Sequence, residues 1–314
     1  MNIKKLIIGL IILCCIVFYV LYQRIVVQSN MQKTKPYIVC TTTIIGDTVQ
    51  QIAQNSVHVD ILMGPGVDPH VYKPIENDLL KIAKANLIVY HGLHLEARMV
   101  DLFAHLNSIK PTVDATKDIP KHLLISVNDQ RTIFDPHVWF DPQLWIYVVT
   151  TIATKLTELL PENSDVYEHN KNIFIDQIRQ MYQATRLQIQ QIPTNQRILI
   201  TSHDAFSYFA RAYDFKVVSL QGINTATEAG VQDVQDVVSI ILKHQIPTIF
   251  VESSVPPRSM QAIQQRVATQ HGNVKIGQEL YSDSLGNPKS PAGTYLGMLN
   301  YNVDAILQGL LPIS

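Results

Sequence analysis

After residue 35 the chain is punctuated by short runs of β-branched and aliphatic residues: YIVCTTT (37 to 43), VHVDILM (57 to 63), NLIVYH (86 to 91), RILITS (197 to 202), KVVSL (216 to 220), TIFVES (248 to 253) and NVKIG (273 to 277). Several are almost continuously apolar, the pattern of strands covered on both faces. Longer stretches with helical spacing fill the gaps, among them Ile75 to Ala85, Leu144 to Leu160, Val231 to His244 and Thr294 to Gln308. Strands alternating with helices predict an α/β fold of parallel sheets with helices on both faces.

One segment breaks this rhythm. Residues 163 to 192 contain no Pro or Gly, are rich in Gln, Arg and Glu, and carry Val166, Ile173, Ile178, Met181, Tyr182, Leu187 and Ile189 at roughly helical intervals. A helix of that length would run about 45 Å at 1.5 Å per residue, long for one domain. We read it as a single rigid helix connecting two lobes, residues 36 to 162 and 193 to 314. An amphipathic helix lying along one domain is the plainer alternative.

The amino terminus has another character. Lys4 and Lys5 precede the uncharged run LIIGLIILCCIVFYVLY, residues 6 to 22. Basic flank and apolar run together predict an export signal, and the run is just long enough to span a bilayer. No small-residue cleavage pattern follows, and Leu13 stands before Cys14 where a lipoprotein signal has a small residue. Residues 1 to 22 therefore read as a signal-anchor or signal peptide, 23 to 35 as a polar linker, and the rest as an extracytoplasmic, periplasmic or cell-surface protein held by its N-terminus. Of the cysteines, Cys14 and Cys15 fall in the apolar run, which leaves Cys40 as a lone core thiol with no disulfide partner.

Composition narrows the function. With 314 residues and 46% hydrophobic content the chain can bury a full core. A net charge of -1 and the lack of any long basic block exclude nucleic acid as a partner.

The chemistry gathers at strand ends. His70 lies in GPGVDPHVYKP after the second run; His137 lies in FDPHVWFDP, between two Asp-Pro pairs; His203 ends the run RILITSH; Asp283 follows NVKIG in ELYSDSLG. Proline fixes its own φ and pushes the preceding residue into an extended conformation, so each Asp-Pro-His holds its imidazole stiffly. In open parallel sheets ligands bind outside the carboxyl ends of the strands. Imidazoles with one carboxylate suit Zn, Mn or Fe, whereas Ca²⁺ wants more oxygens. The remaining histidines, His91 among them, read as structural or solvated.

In the order GPGVDPHVYKP, DPHVWFDP, TSHDAFSYFA, IFVES and LYSDSLG, the chain from about Thr41 onward resembles the metal-binding substrate-binding proteins of ATP-binding-cassette importers, the zinc-uptake and TroA-like family. The resemblance implies two α/β lobes joined by one long helix, with a single divalent transition-metal ion bound as cargo in the cleft by His70, His137, His203 and Asp283. It further implies a monomer that delivers the ion to a membrane permease served by a separate ATPase subunit. Manganese-binding members commonly have Glu at the third ligand position, where this chain has His203. The long His-rich loop of many zinc-specific members is missing ahead of the second motif.

Two other classes stay open. In an exported metal-dependent hydrolase, Glu252 at the end of TIFVES would be the general base; its alternative role is to orient a histidine N–H. In an adhesin or scaffold with a structural metal, the metal-free chain would not fold. No HExxH, GxSxG or P-loop motif occurs, and four protein ligands would close a metal shell, so no enzymatic activity is expected. Competition from protons at ordinary imidazoles predicts weaker metal binding below about pH 6.5.

Overall fold

The structure is a computed structural model that describes residues 16–19 and 35–311. Residues 16–19 form a single helical turn, and the rest of the expected signal-anchor and almost all of the expected linker lie outside the described residues. Among the described residues no helix is long and apolar enough to cross a membrane. Residues Pro36–Ser314 form one compact unit.

In that unit β1 (Tyr37–Thr42), α1 (Thr43–Ala53), β2 (His58–Met63), α2 (Glu76–Lys84), β3 (Leu87–Tyr90), α3 (Val100–Leu106), β4 (Thr112–Asp114) and α4 (Pro142–Leu159) build the first lobe. Its sheet has the order β2-β1-β3-β4, and every pairing is parallel. Alternate residues of a strand face opposite sides, and both sides here are covered. Ile38, Cys40, Leu87 and Val89 pack into the core that contains α1 and α4, whereas Val39 and Ile88 join Ile82 of α2 with Phe103 and Leu106 of α3. Burial on both faces explains why these runs read as continuously apolar. Strand β4 had no counterpart among the expected strands: three residues are too few to show a period.

Helix α5 (Ser164–Ile189) follows α4 after a short 3₁₀ turn at Pro161–Asn163. Its 26 residues fall slightly short of the expected 163 to 192, because the chain leaves the helix ahead of Pro193. The helix joins the lobes. Asn170 donates to the Ile52 carbonyl of α1 at 2.8 Å, while Phe174 meets Tyr295 of the second lobe edge-on at 6.3 Å.

The second lobe comprises β5 (Ile198–His203), α6 (Ser207–Tyr213), β6 (Lys216–Gln221), α7 (Val231–His244), β7 (Thr248–Ile249), α8 (Arg258–Thr269), β8 (Lys275–Ile276) and α9 (Tyr295–Leu310). β5 pairs with β6 and β7 with β8, both in parallel. The Phe250 N–H donates to the Ile200 carbonyl at 2.9 Å and carries the ladder from β5 to the β7 segment. Beyond Ile249 the expected strand is interrupted but continues as a bridge between Glu252 and Leu280. Leu199 faces the core shared with α5, while Ile198 and Ile200 face α7 and α8. The fold is therefore α/β, with two parallel-sheet lobes, helices on both faces and one long connecting helix.

The lobes meet across a polar seam inside the shared core. Trp139 Nε1–H donates to the Ser282 carbonyl at 2.8 Å, Tyr295 O–H to the Trp139 carbonyl at 2.9 Å, and Leu285 N–H to Thr43 Oγ1 at 2.8 Å. Buried crosslinks of this kind bring the strand-end loops of both lobes together.

Candidate metal centre

The two Asp-Pro pairs of FDPHVWFDP have different tasks. Asp141 caps α4, its Oδ1 accepting the Gln143 N–H at 3.0 Å with Pro142 in the first turn. Asp135 instead turns back on the histidine between them. Its Oδ1 lies 2.7 Å from His137 Nδ1 and accepts the His137 N–H at 2.9 Å. The carboxylate at Nδ1 fixes the ring so that Nε2 faces inward. Asp135, read from the sequence only as a backbone clamp, thus sets the imidazole's orientation; the signal was the Asp two places before the His.

His203 has the same arrangement by another route. Glu252, from the bridge after β7, places Oε2 2.5 Å from His203 Nδ1 and accepts the Ser202 and His203 N–H groups on Oε1 at 2.7 and 2.9 Å. His70 differs. Asp68, the Asp of its own Asp-Pro-His, accepts its backbone N–H at 2.9 Å but does not hold its ring.

The inward nitrogens converge. His70 Nε2 and His137 Nε2 are 3.2 Å apart, Asp283 Oδ1 lies 3.4 Å from His137 Nε2 and 3.9 Å from His70 Nε2, and Asp283 Oδ2 lies 3.4 Å from His203 Nε2. One atom from each of the four residues falls within 4.8 Å of the others. His70 is 3% exposed, Asp283 1%, and His137 and His203 not at all. The carboxylate contacts are longer than ordinary N–H···O bonds, so these atoms face a common point without pairing well. Among the described residues His203 Nε2 and Asp283 Oδ1 have no hydrogen-bond partner. Ser254 O–H donates to Asp283 Oδ2 at 2.7 Å and steadies that carboxylate.

The electrostatics are those of a pocket built for positive charge. Burial alone would raise Asp283, but His203, His137 and His70 outweigh it and hold the carboxyl well below its usual range. Burial disfavours the His137 proton, yet Asp135 and Asp283 overcome this and lift the imidazole to about 9. His203 is likewise raised well above the usual value, Glu252 and Asp283 prevailing over burial. Burial, with His137 and His203 nearby, pushes His70 down to about 3 against the pull of Asp283.

His91, grouped in the sequence with histidines of no special setting, is fully buried beside this pocket. Its Nε2–H donates to the Pro136 carbonyl at 2.7 Å, and its ring stands edge-on to Trp139 with 4.9 Å between centroids. It buttresses the His137 turn. The stretch YHGLH, with His91 and His94 in no special setting, offers no local signal of that role.

Two α/β lobes on a long helix, with three imidazoles and a carboxylate enclosed at their seam, define the class of two-lobed ligand-capturing receptors. The chain belongs to the family of the zinc-uptake complex component A periplasmic protein, whose model matches residues 38–309. It is 40% identical over 276 residues to the zinc-binding protein TroA of Treponema pallidum, covering 88% of this chain and 89% of that one. It is also 38% identical to the manganese-binding lipoprotein MntA of Bacillus subtilis (87% and 89% covered) and 32% to the iron-binding protein YfeA of Yersinia pestis (87% and 85% covered). The solved structure of the periplasmic zinc-binding protein TroA from Treponema pallidum superposes with a TM-score of 0.86 at 39% identity, over 88% of this chain and 100% of that one. A Mn-bound periplasmic metal-binding protein from Candidatus Liberibacter asiaticus gives 0.76 at 27% identity, over 88% and 100%.

Proposed function

We propose that His70, His137, His203 and Asp283 bind one divalent transition-metal ion as cargo, and that the chain is the extracytoplasmic capture component of an ATP-binding-cassette importer. The observation that carries this is the convergence of three Nε2 atoms and a carboxylate oxygen within 4.8 Å, fully enclosed. Unpartnered polar atoms in such a place each cost about 1–3 kcal/mol, a penalty that coordination to a cation would remove. Relatives are named for zinc, manganese and iron, and a nitrogen-rich set of this kind accepts all three.

His70 and His137 come from the lobe spanning 36 to 162, His203 and Asp283 from that spanning 193 to 314, so an ion would pin the two together. The single connecting helix and the polar seam favour small movements over wide hinge opening. Delivery requires a permease and a separate ATPase subunit, since this chain contains no P-loop. We further propose that the chain acts as a monomer and that residues 6 to 22 direct export and anchor it, as the lipoprotein names of MntA and its streptococcal counterparts suggest.

Glu252 speaks against hydrolysis. Its carboxylate is occupied by His203 and two backbone amides, which leaves it no access to a substrate water. Metal analysis of residues 31 to 314 purified without a histidine tag tests the reading. One equivalent of transition metal, absent from His137→Ala, is expected; no metal under any loading would overturn it.

A further inference from the structure

An enclosed site must open for cargo to leave, and one ligand is held differently from the rest. His137 and His203 each have a carboxylate at Nδ1, whereas no carboxylate contacts His70 Nδ1 among the described residues. His70 is positioned through its backbone instead. Asp68 Oδ1 accepts its N–H, with Pro69 between them restricting the turn. The other oxygen of Asp68 reaches the opposite lobe, where Oδ2 accepts the Thr225 hydroxyl at 2.5 Å across 157 residues of sequence.

Thr225 sits in the connection from β6 to α7, Gly222 to Gly230, most of which is exposed. The connection's other hydrogen bonds stay within the second lobe: Asp204 N–H to the Gly222 carbonyl at 3.4 Å, Ala226 N–H to Asn224 Oδ1 at 2.8 Å, and Gly230 N–H to Asp233 Oδ2 at 2.7 Å as α7 begins. Thr225 to Asp68 is therefore its tie to the first lobe. Beside it the Gly66 N–H donates to Ser284 Oγ at 2.8 Å, so the loop bearing His70 is attached to the second lobe both next to Asp283 and at Thr225.

Resting on the metal-binding reading above, we infer that the Thr225 to Asp68 hydrogen bond is a latch across the lobes that holds His70 in the closed site and sets the rate at which the ion escapes. A hydroxyl bound to a carboxylate is a charge-assisted bond, strong enough to favour closure, and its Thr225 end lies on a mostly exposed connection that a docking partner can reach. Thr225 is then a positioning residue: it touches no metal and acts through Asp68 on the His70 backbone.

The test uses zinc-loaded protein chased with excess fluorescent chelator, so that dissociation rate and binding stoichiometry are read separately. Thr225→Val keeps the branched shape and removes the hydroxyl; it should bind one equivalent of zinc but release it about tenfold faster, as loss of a hydrogen bond to a charged group implies. Thr225→Ser should restore the parental rate. In an Asp68→Asn background Thr225→Val should add little, because the strong acceptor is already gone. Amide exchange over residues 222 to 230 should quicken in Thr225→Val. A Thr225→Val protein that holds zinc as long as the parent would overturn the latch while leaving the metal site intact. A parent that takes up no zinc at all would overturn the metal-binding reading itself.

Discussion

Glu252 Oε2 stands 2.5 Å from His203 Nδ1, while Oε1 of the same carboxylate accepts two consecutive backbone N–H groups of β5. One side chain from the β7 segment thus fixes both the strand end that presents His203 and the ring orientation that directs Nε2 inward.

Glu252→Gln should keep one metal ion per chain and lower its affinity about 10- to 100-fold, the usual cost of losing the outer partner of a metal-bound imidazole. Competition titration against a chelator of known affinity measures this. Complete loss of binding would assign Glu252 to direct coordination.

Asp283→Asn should weaken binding by more than about 100-fold, beyond the loss of an outer partner, because the only anion among the four donors becomes neutral. Isothermal titration with zinc gives the affinity. A variant binding as well as the parent would remove Asp283 from the ligand set.

The metal-free protein should be most stable near pH 6.5, the value of an unfolded histidine. His137 is held at about 9 in the fold, so its contribution is complete below about pH 6.5 and is lost as pH rises through 9, with His203 acting in the same direction. His70 and His91 are each held down at about 3, so the unfolded chain takes up protons below about pH 6.5 that the folded chain refuses, and stability falls there too. Melting temperatures of chelated protein from pH 4 to 9 test this. A monotonic rise toward pH 9 would contradict the raised imidazoles.

Metal affinity should climb with pH toward about 9, not level off near 6.5. Asp135 and Asp283 keep a proton on His137 over that range, and the ion must displace it. The proton release at pH 7.5, read by calorimetry in buffers of different ionisation enthalpy, should exceed zero; no release would show that His137 is already neutral.

Trp139→Phe leaves the Ser282 carbonyl without its indole donor at the lobe seam and should cost about 1–3 kcal/mol. A denaturant midpoint measures the loss. An unchanged midpoint would mean that water replaces the bond at no cost.

Much of this architecture is visible along the chain because burial on both faces writes itself as unbroken apolar runs. Val231 to His244 matches α7 residue for residue, and β1, β2 and β5 lie within a residue or so of their expected bounds. The shortest first-lobe strand was not legible: β4 has only three residues and offers no period to detect. TIFVES and NVKIG were read as strands, but regular pairing is confined to Thr248–Ile249 and Lys275–Ile276.

What the sequence by itself determined were the local facts: which segments are strands and helices, and that three histidines and an aspartate stand in stiff or turn-forming settings, although only His203 ends a strand and His137 lies in the long loop between β4 and α4. Only the tertiary structure decided which carboxylate serves which imidazole. Asp135 is two residues from His137, but Glu252 lies 49 residues from His203 and Asp68 meets Thr225 across 157. Local propensity depends on neighbours in the chain, whereas hydrogen-bond partners are chosen by the packing of whole lobes. The same Asp-Pro-His therefore orients a ring at His137 and, at His70, secures a backbone through a bond to the opposite lobe.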